Sequence, residues 1–297
     1  MIETALYSFW SAPYLEKNAF KTFAEFNTAY DFELSWSMSV KLAKQNFKKV
    51  VFVTDTWAWE NLFKKLNLPF DEVKLSLDDI THTTDVWSVS KAYAILEMDV
   101  PFLHIDSDVY LWKELPNHIL NKPILVQDAE SILQDRTVGQ IYLALEWEYN
   151  TYLKSTSSYL DNSNFINRDV FGYNCGVVGG NDVKFLNKWA SEMIKVTSAY
   201  DEFKKTSKYN NHYIAVWVEQ SLLLVMSDFY KVQVTELIDR NQPQNFYTHL
   251  MGSSKRDVEM MKLLDKKHEK LFGKLNYKKT KKSFDISKIF RIFGYNK

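Results

Sequence analysis

The stretch FLHIDSDVYLW, residues 102–112, begins with the character of a buried strand and then sets two carboxylates one residue apart. Asp106 and Asp108 stand where the apolar run ends, with Ser107 between them. In an extended segment side chains alternate, which aims both aspartates to one side and the serine to the other. Two carboxylates aimed together repel unless a proton or a cation lies between them. Either they cap a turn in water, or something positive belongs there. A hard divalent ion, Mg²⁺ or Mn²⁺, takes oxygen ligands and keeps water or substrate phosphates in its shell.

Upstream, ALYSFW (5–10) reads as a first strand, and residues 15–47 are rich in helix formers. KVVFVTD (49–55) is a β-branched run ending in a turn residue, the pattern of a strand buried on both faces. A short helix is expected near 57–66 and a strand near 71–77. WSVSKAYAILEM (87–98) carries Ala92, Ile95 and Leu96 at helical spacing, with Thr84 or Asp85 offered as N-cap. Downstream, PILVQDAE (123–130) reads as another buried strand. GYNCGVVGG (172–180) reads as a strand bracketed by glycines, and YIAVWVEQSLLLVM (213–226) as a buried helix. Alternation of strands and helices predicts an α/β fold with a mostly parallel central sheet flanked by helices. Asp55, Asp106, Asp108 and Asp128 all fall at or just past strand ends, where open α/β sheets bind ligands.

The 297 residues suffice for a substantial core, and a net charge of zero gives no bias towards nucleic acid. One cysteine, Cys175, rules out an internal disulfide framework and suits a reducing compartment. The opening MIETALYSFWSAPY lacks the layout of a signal peptide, and no run reaches the ~20 apolar residues of a membrane span. The expectation is a cytoplasmic protein. The neutral total conceals a basic end: from Lys262 to Lys297 there are 12 Lys and Arg against three acidic residues, a net +9. In 284–297 (FDISKIFRIFGYNK) phenylalanines and isoleucines alternate with basic residues. Such a segment suits an anionic membrane surface, as a peripheral protein on the inner face, or a solvated helix packed on the body.

The run from Phe102 to Pro116 resembles the D-x-D metal motif of glycosyltransferases with the GT-A (nucleotide-diphospho-sugar transferase) fold. Further on, THLMGSSK is similar to the H-x-x-G-x-x-K signature of the glycogenin and lipopolysaccharide galactosyltransferase family, glycosyltransferase family 8. Its matching positions are His249, Gly252 and Lys255. Asn174, Cys175 and Gly176 resemble the family's N-A-G sugar-site strand, and Glu219 with Gln220 resembles its Asp-Gln pair near the acceptor. Lys91 stands where the family has a basic nucleotide contact, and Asp128 where it has a donor-sugar contact. The resemblance covers roughly residues 1–256, in the family's order. It departs at Glu219, at the missing Pro-Trp after Lys255, and from 131 to 170, where nothing matches.

The resemblance implies a GT-A domain over 1–256 followed by a basic amphipathic extension, 257–297. It implies Mn²⁺ or Mg²⁺ on Asp106, Asp108 and His249. Lys91, Asp106, Asn174, Gly176, Gly252 and Lys255 would contact the nucleotide sugar, and Gln220, Glu219 and Asp128 would serve catalysis. The activity implied is transfer of a hexose from a UDP-sugar to a glycan or glycolipid acceptor, with retention favoured. Two other classes stand beside it: a sugar nucleotidyltransferase, which also uses acidic residues at strand ends, and a silent nucleotide-sugar-binding scaffold. Taken singly, each residue also has a plain reading. His249 suits a hydrogen-bonded core histidine, Lys91 an exposed helix lysine, Asn174 a strand-end residue and Cys175 a small buried side chain. Glu219 and Gln220 project about 100° apart on a helix, which leaves one of them for the cleft.

Overall fold

A run of apolar residues buried on both faces needs cover on both sides, and the chain supplies it by winding helices to either side of one sheet. The computed structural model describes residues 1–16, 25–131, 156, 157, 159, 170–206, 214–239 and 246–275. The strands are β1 (Thr4–Phe9), β2 (Lys49–Thr54), β3 (Glu72–Leu75), β4 (Phe102–Ile105), β5 (Val109–Leu111), β6 (Ile124–Ser131), β7 (Val170–Gly180), β8 (Val234–Glu236) and β9 (Tyr247–His249). Seven of them form the central sheet in the order β3-β2-β1-β4-β7-β6-β8. β1 pairs parallel with β2 and β4, β2 with β3, and β6 with β8, whereas β7 runs antiparallel to both of its neighbours. The fold is thus α/β with a mostly parallel sheet. β5 and β9 form a separate antiparallel pair.

The period-two alternation of the strands sorts their side chains onto two cores. Leu6, Val51, Val53, Phe102, Val126 and Val178 face one side. There they meet helix α2 (Val89–Leu96) through Ala92 and Ile95, and helix α3 (Val183–Thr206) through Leu186, Trp189 and Met193. Ala5, Tyr7, Phe52, Leu103 and Ile105 face the other side, against Leu34, Trp36 and Met38 of helix α1 (Ala29–Asn46). Trp10, Trp36, Trp189 and Trp217 are all buried, so these tryptophans serve the core. Connections from β1 lead outward to β2, and β4 begins the other half of the sheet. The crevice between the carboxyl ends of β1 and β4 is therefore a topological switch point.

Local chemistry sets several boundaries. Thr28 caps α1 by accepting from the Asp31 amide. The cap expected at Thr84 or Asp85 lies elsewhere: Thr83 accepts from the Asp85 amide and caps a 3₁₀ turn, Thr84–Val86. α2 starts after Ser88, whose hydroxyl is drawn away to the Ala215 carbonyl at 2.6 Å. The helix expected at 213–226 runs as a short turn (Ile214–Val216), a π-helical turn (Trp217–Ser221) and α4 (Leu222–Tyr230). After residue 256 comes α5 (Val258–Phe272), which buries Met261, Leu264 and His268. His268 bonds Ser37 of α1 at 2.8 Å, so this first part of the basic end is packed on the body. Residues 284–297 and most of 131–170 lie outside the described residues.

Two glycines of β7 let the reversed strand approach its neighbours. A Cβ at Gly179 would strike the Phe102 carbonyl and the Leu103 Cα, backbone atoms that cannot retreat without breaking the β4–β7 ladder. Gly179→Ala is expected to destabilise the chain by about 1–3 kcal/mol, read as a lower urea midpoint. An unchanged midpoint would contradict this packing.

Candidate functional site

Asp106 follows β4 directly, and its amide donates to the Gly176 carbonyl at 2.9 Å. The chain then turns, because the Val109 amide bonds back to the Asp106 carbonyl at 3.0 Å. Asp106 and Asp108 therefore come together through a turn. The strand alternation expected from the sequence is not the cause. The turn is held from beneath by serines of α1: Ser35 donates to the Ser107 carbonyl and Ser39 to the Val109 carbonyl. Directly after the turn, β5 pairs with β9 so that Val109 stands opposite His249. That register brings a histidine from 141 positions downstream beside Asp108.

The result is a compact donor set. Ligand atoms of Asp106, Asp108 and His249 lie within 4.8 Å of one another, and His249 Nε2 is 3.5 Å from Asp108 Oδ1. Two carboxylate oxygens and an imidazole nitrogen at this spacing fit a first-row or alkaline-earth dication with positions left for other ligands. Two lysines neutralise the carboxylates from opposite directions. Lys255 reaches Asp108 Oδ2 at 2.7 Å, and Lys91 reaches Asp106 Oδ1 at 3.0 Å. Burial alone would raise Asp108, yet the Lys255 ammonium holds it well below the usual carboxylate range. Asp106 is raised by burial, with Lys91 opposing and Asp108 adding to the rise.

Lys91 is buried, contrary to the exposed helix lysine of its plain reading. Its ammonium contacts Asp106, Glu219 at 2.5 Å and the Cys175 carbonyl at 2.8 Å. One ammonium thus lies among two carboxylates and a carbonyl, with its hydrogen bond to the carbonyl. Lys91 therefore holds Asp106 in place. Burial pulls its pKa down, but the carboxylates of Asp106 and Glu219 outweigh that and keep it raised. Glu219 is pushed up to about 7 by burial, against the pull of Lys91. Of the pair, Lys91 is the firmly charged member, because it is shared between two carboxylates. Glu219 thus lies under the site floor on the π-helical turn, and Gln220 beside it is half-buried.

A second ring comes from β6 and β7. Asp128 stands opposite Asn174, and Val126 opposite Val178, so the register shifts around Cys175–Val177. Asn174 accepts from the Gly176 amide and donates to Glu130, both at 3.0 Å. A Cβ on Gly176 would lie 2.5 Å from His249 Cε1 and 2.7 Å from Gln127 Oε1, which explains a glycine here. Gly252, at φ +53, opens the turn Gly252–Arg256 that carries Lys255. Asp55 takes no part. It accepts from the Ser11 amide and hydroxyl and from the Ala58 amide, tying β1 to β2 as a cap. Sequence reasoning missed Gln127, Tyr247 and His104, a buried residue of β4 whose Nε2 bonds Ser8 at 2.9 Å and whose Nδ1 lies 3.6 Å from Asp106 Oδ1. Gln127 had a legible signal, a polar residue inside a buried strand, which must find partners.

Residues 4–283 match a family model described as a family of unknown function, DUF6734. The chain belongs to this family. No curated protein matches it.

In this DUF6734 chain Cys175 lies fully buried behind the site, and its thiol donates to the Tyr173 carbonyl at 3.2 Å. Burial, reinforced by Glu219, lifts the thiol well above its ordinary value against the pull of Lys91. The thiolate is the reactive form, so native Cys175 is expected to resist alkylation at neutral pH and to react fully in urea. Rapid labelling of the native protein, followed by mass spectrometry, would refute this.

Proposed function

We propose that this protein is a metal-dependent glycosyltransferase of the GT-A type, moving a hexose from a UDP-sugar to a glycan or glycolipid acceptor. One observation carries the reading: the convergence of Asp106, Asp108 and His249 at the carboxyl end of β4, with Lys255 against Asp108. The sheet order, with its single reversed strand next to β4, is compatible with that fold. Mn²⁺ or Mg²⁺ on the three side chains would act as a Lewis acid on the departing diphosphate.

The remaining work falls to the chain. Lys255 is the positive group nearest the donor set from the solvent side, its side chain 18% exposed, and is placed to exchange Asp108 for a phosphate oxygen. Lys91, buried below between Asp106 and Glu219, fixes the orientation of Asp106. Asn174 and Gly176 line the adjoining strand beside Asp128, where the sugar would lie, and Gly252 sets the turn that delivers Lys255. Gln220 has solvent-facing surface to line the acceptor side, whereas Glu219 is committed to Lys91. That division favours retention, which needs no general base against the acceptor hydroxyl.

Titration of the protein with Mn²⁺ and UDP tests the reading. Asp108→Asn removes a charged ligand and is expected to weaken Mn²⁺-dependent UDP binding by about 100-fold or more. Undiminished affinity would overturn the metal assignment. Turnover of a sugar phosphate with a nucleoside triphosphate would replace the reading by a nucleotidyltransferase. Absence of binding to any nucleotide sugar would leave a scaffold.

We also infer contact with an anionic membrane through 284–297. Among the described residues no helix is long and apolar enough to cross a membrane. The described part of the basic end supports surface contact: α5 exposes Met260, Leu263 and Leu271 beside Lys262, Lys266 and Lys270. Deleting 284–297 is expected to reduce recovery on anionic vesicles and to spare turnover on a soluble acceptor. Equal recovery of both forms would remove the inference.

A further inference from the structure

Gln127 is buried in β6, and its side-chain oxygen is shared by two neighbours. The Tyr247 hydroxyl donates to Oε1 in a short bond, and His249 Nδ1 lies 2.7 Å from the same atom. An amide oxygen only accepts. Both neighbours must therefore bring a proton, and the proton of a neutral His249 must sit on Nδ1. Nε2 is then bare and faces Asp108 Oδ1 at 3.5 Å. Two lone pairs turned towards each other leave a place for a positive centre.

We propose that Gln127 is the positioning residue of this site: it locks His249 in the Nδ1–H tautomer and so presents Nε2, as a lone pair, to the Asp106–Asp108 side. Three features of the chain sustain the arrangement. Tyr247 and His249 lie two apart on β9, so both side chains reach the same face and the same acceptor. The hydroxyl of Tyr247 donates to Oε1 and thereby orients the amide. Gly176 has no side chain where a Cβ would press on both His249 and Gln127. Gln127 thus serves His249 as outer-shell carboxylates and carbonyls serve metal-bound histidines, by fixing the ring and its tautomer. The tautomer itself does not depend on any ion. Only its consequence for affinity rests on the metal reading above.

Long-range ¹H–¹⁵N NMR of the metal-free protein, at a pH where the ring is neutral, reads the tautomer directly. The expected result is a protonated Nδ1 and a bare Nε2 for His249. Gln127→Leu removes the acceptor and is expected to shift the ring towards Nε2–H and to weaken Mn²⁺ binding about 10–100-fold. Gln127→Glu, which can accept and fills the same space, is expected to keep both the tautomer and the affinity. A packing role alone would make the two variants behave alike, and because Gln127→Glu keeps the acceptor, poor folding of the leucine variant does not decide the matter. An Nε2–H tautomer in the wild type, or unchanged tautomer and affinity in Gln127→Leu, would overturn the proposal. If the wild type shows Nδ1–H yet binds no Mn²⁺, the role of Gln127 stands and the metal reading falls.

Discussion

Two carboxylates of like charge, Asp106 and Asp108, are held side by side at the rim of a hydrophobic core, and the surrounding structure is arranged to make that tolerable. Each has its own lysine, Lys91 from α2 below and Lys255 from the turn beyond β9. Leaving one member of a buried pair without its partner costs roughly 3–5 kcal/mol. Both lysines are therefore part of the architecture as much as of the chemistry. Lys91 in turn draws in Glu219, which requires the irregular turn at Trp217–Ser221 to bring that carboxylate beneath the sheet. Glu219 is the least settled charge of the group, because burial pushes it up against the pull of an ammonium that it shares with Asp106.

The same constraint explains the small second sheet. β5 is only three residues long, and its pairing with β9 places Val109, Tyr110, Leu111 and Tyr247 in the core. The pairing also delivers His249 to Asp108 and, six residues after β9 ends, Lys255 to the same carboxylate. The reversed strand β7 adds the complement. Its irregular register around Cys175–Val177 lets Gly176 pass close to the His249 ring, while its amide-bonded Asn174 joins Glu130. Backbone geometry and the absence of one side chain create the space that the histidine occupies.

Much of the frame was legible in the sequence. Runs such as KVVFVT and FLHI are apolar on both parities, and a strand of that kind must be covered on both faces, which leads to the α/β class. Element boundaries shifted by a few residues, and the cap of α2 was misplaced because Ser88 has a better acceptor in Ala215 than in its own helix. The grouping of Asp106, Asp108 and His249 was expected from the family resemblance and the order of its motifs, and the structure brings these three side chains together. Asp55 was read with them because it too ends a strand. Its three hydrogen bonds to Ser11 and Ala58 show a cap, a distinction that needs the partners in view.

By itself the sequence determined which side chains carry charge, where strands end, and that acidic residues cluster at those ends. These are properties of short segments, set by alternation and composition. Only the tertiary structure decided which lysine meets which aspartate, that Lys91 is buried between two carboxylates, and that Gln127 stands behind His249. Those facts depend on contacts between residues from 15 positions (Lys91 and Asp106) to 147 positions (Asp108 and Lys255) apart. Such contacts follow from strand order and register, and no local pattern encodes them.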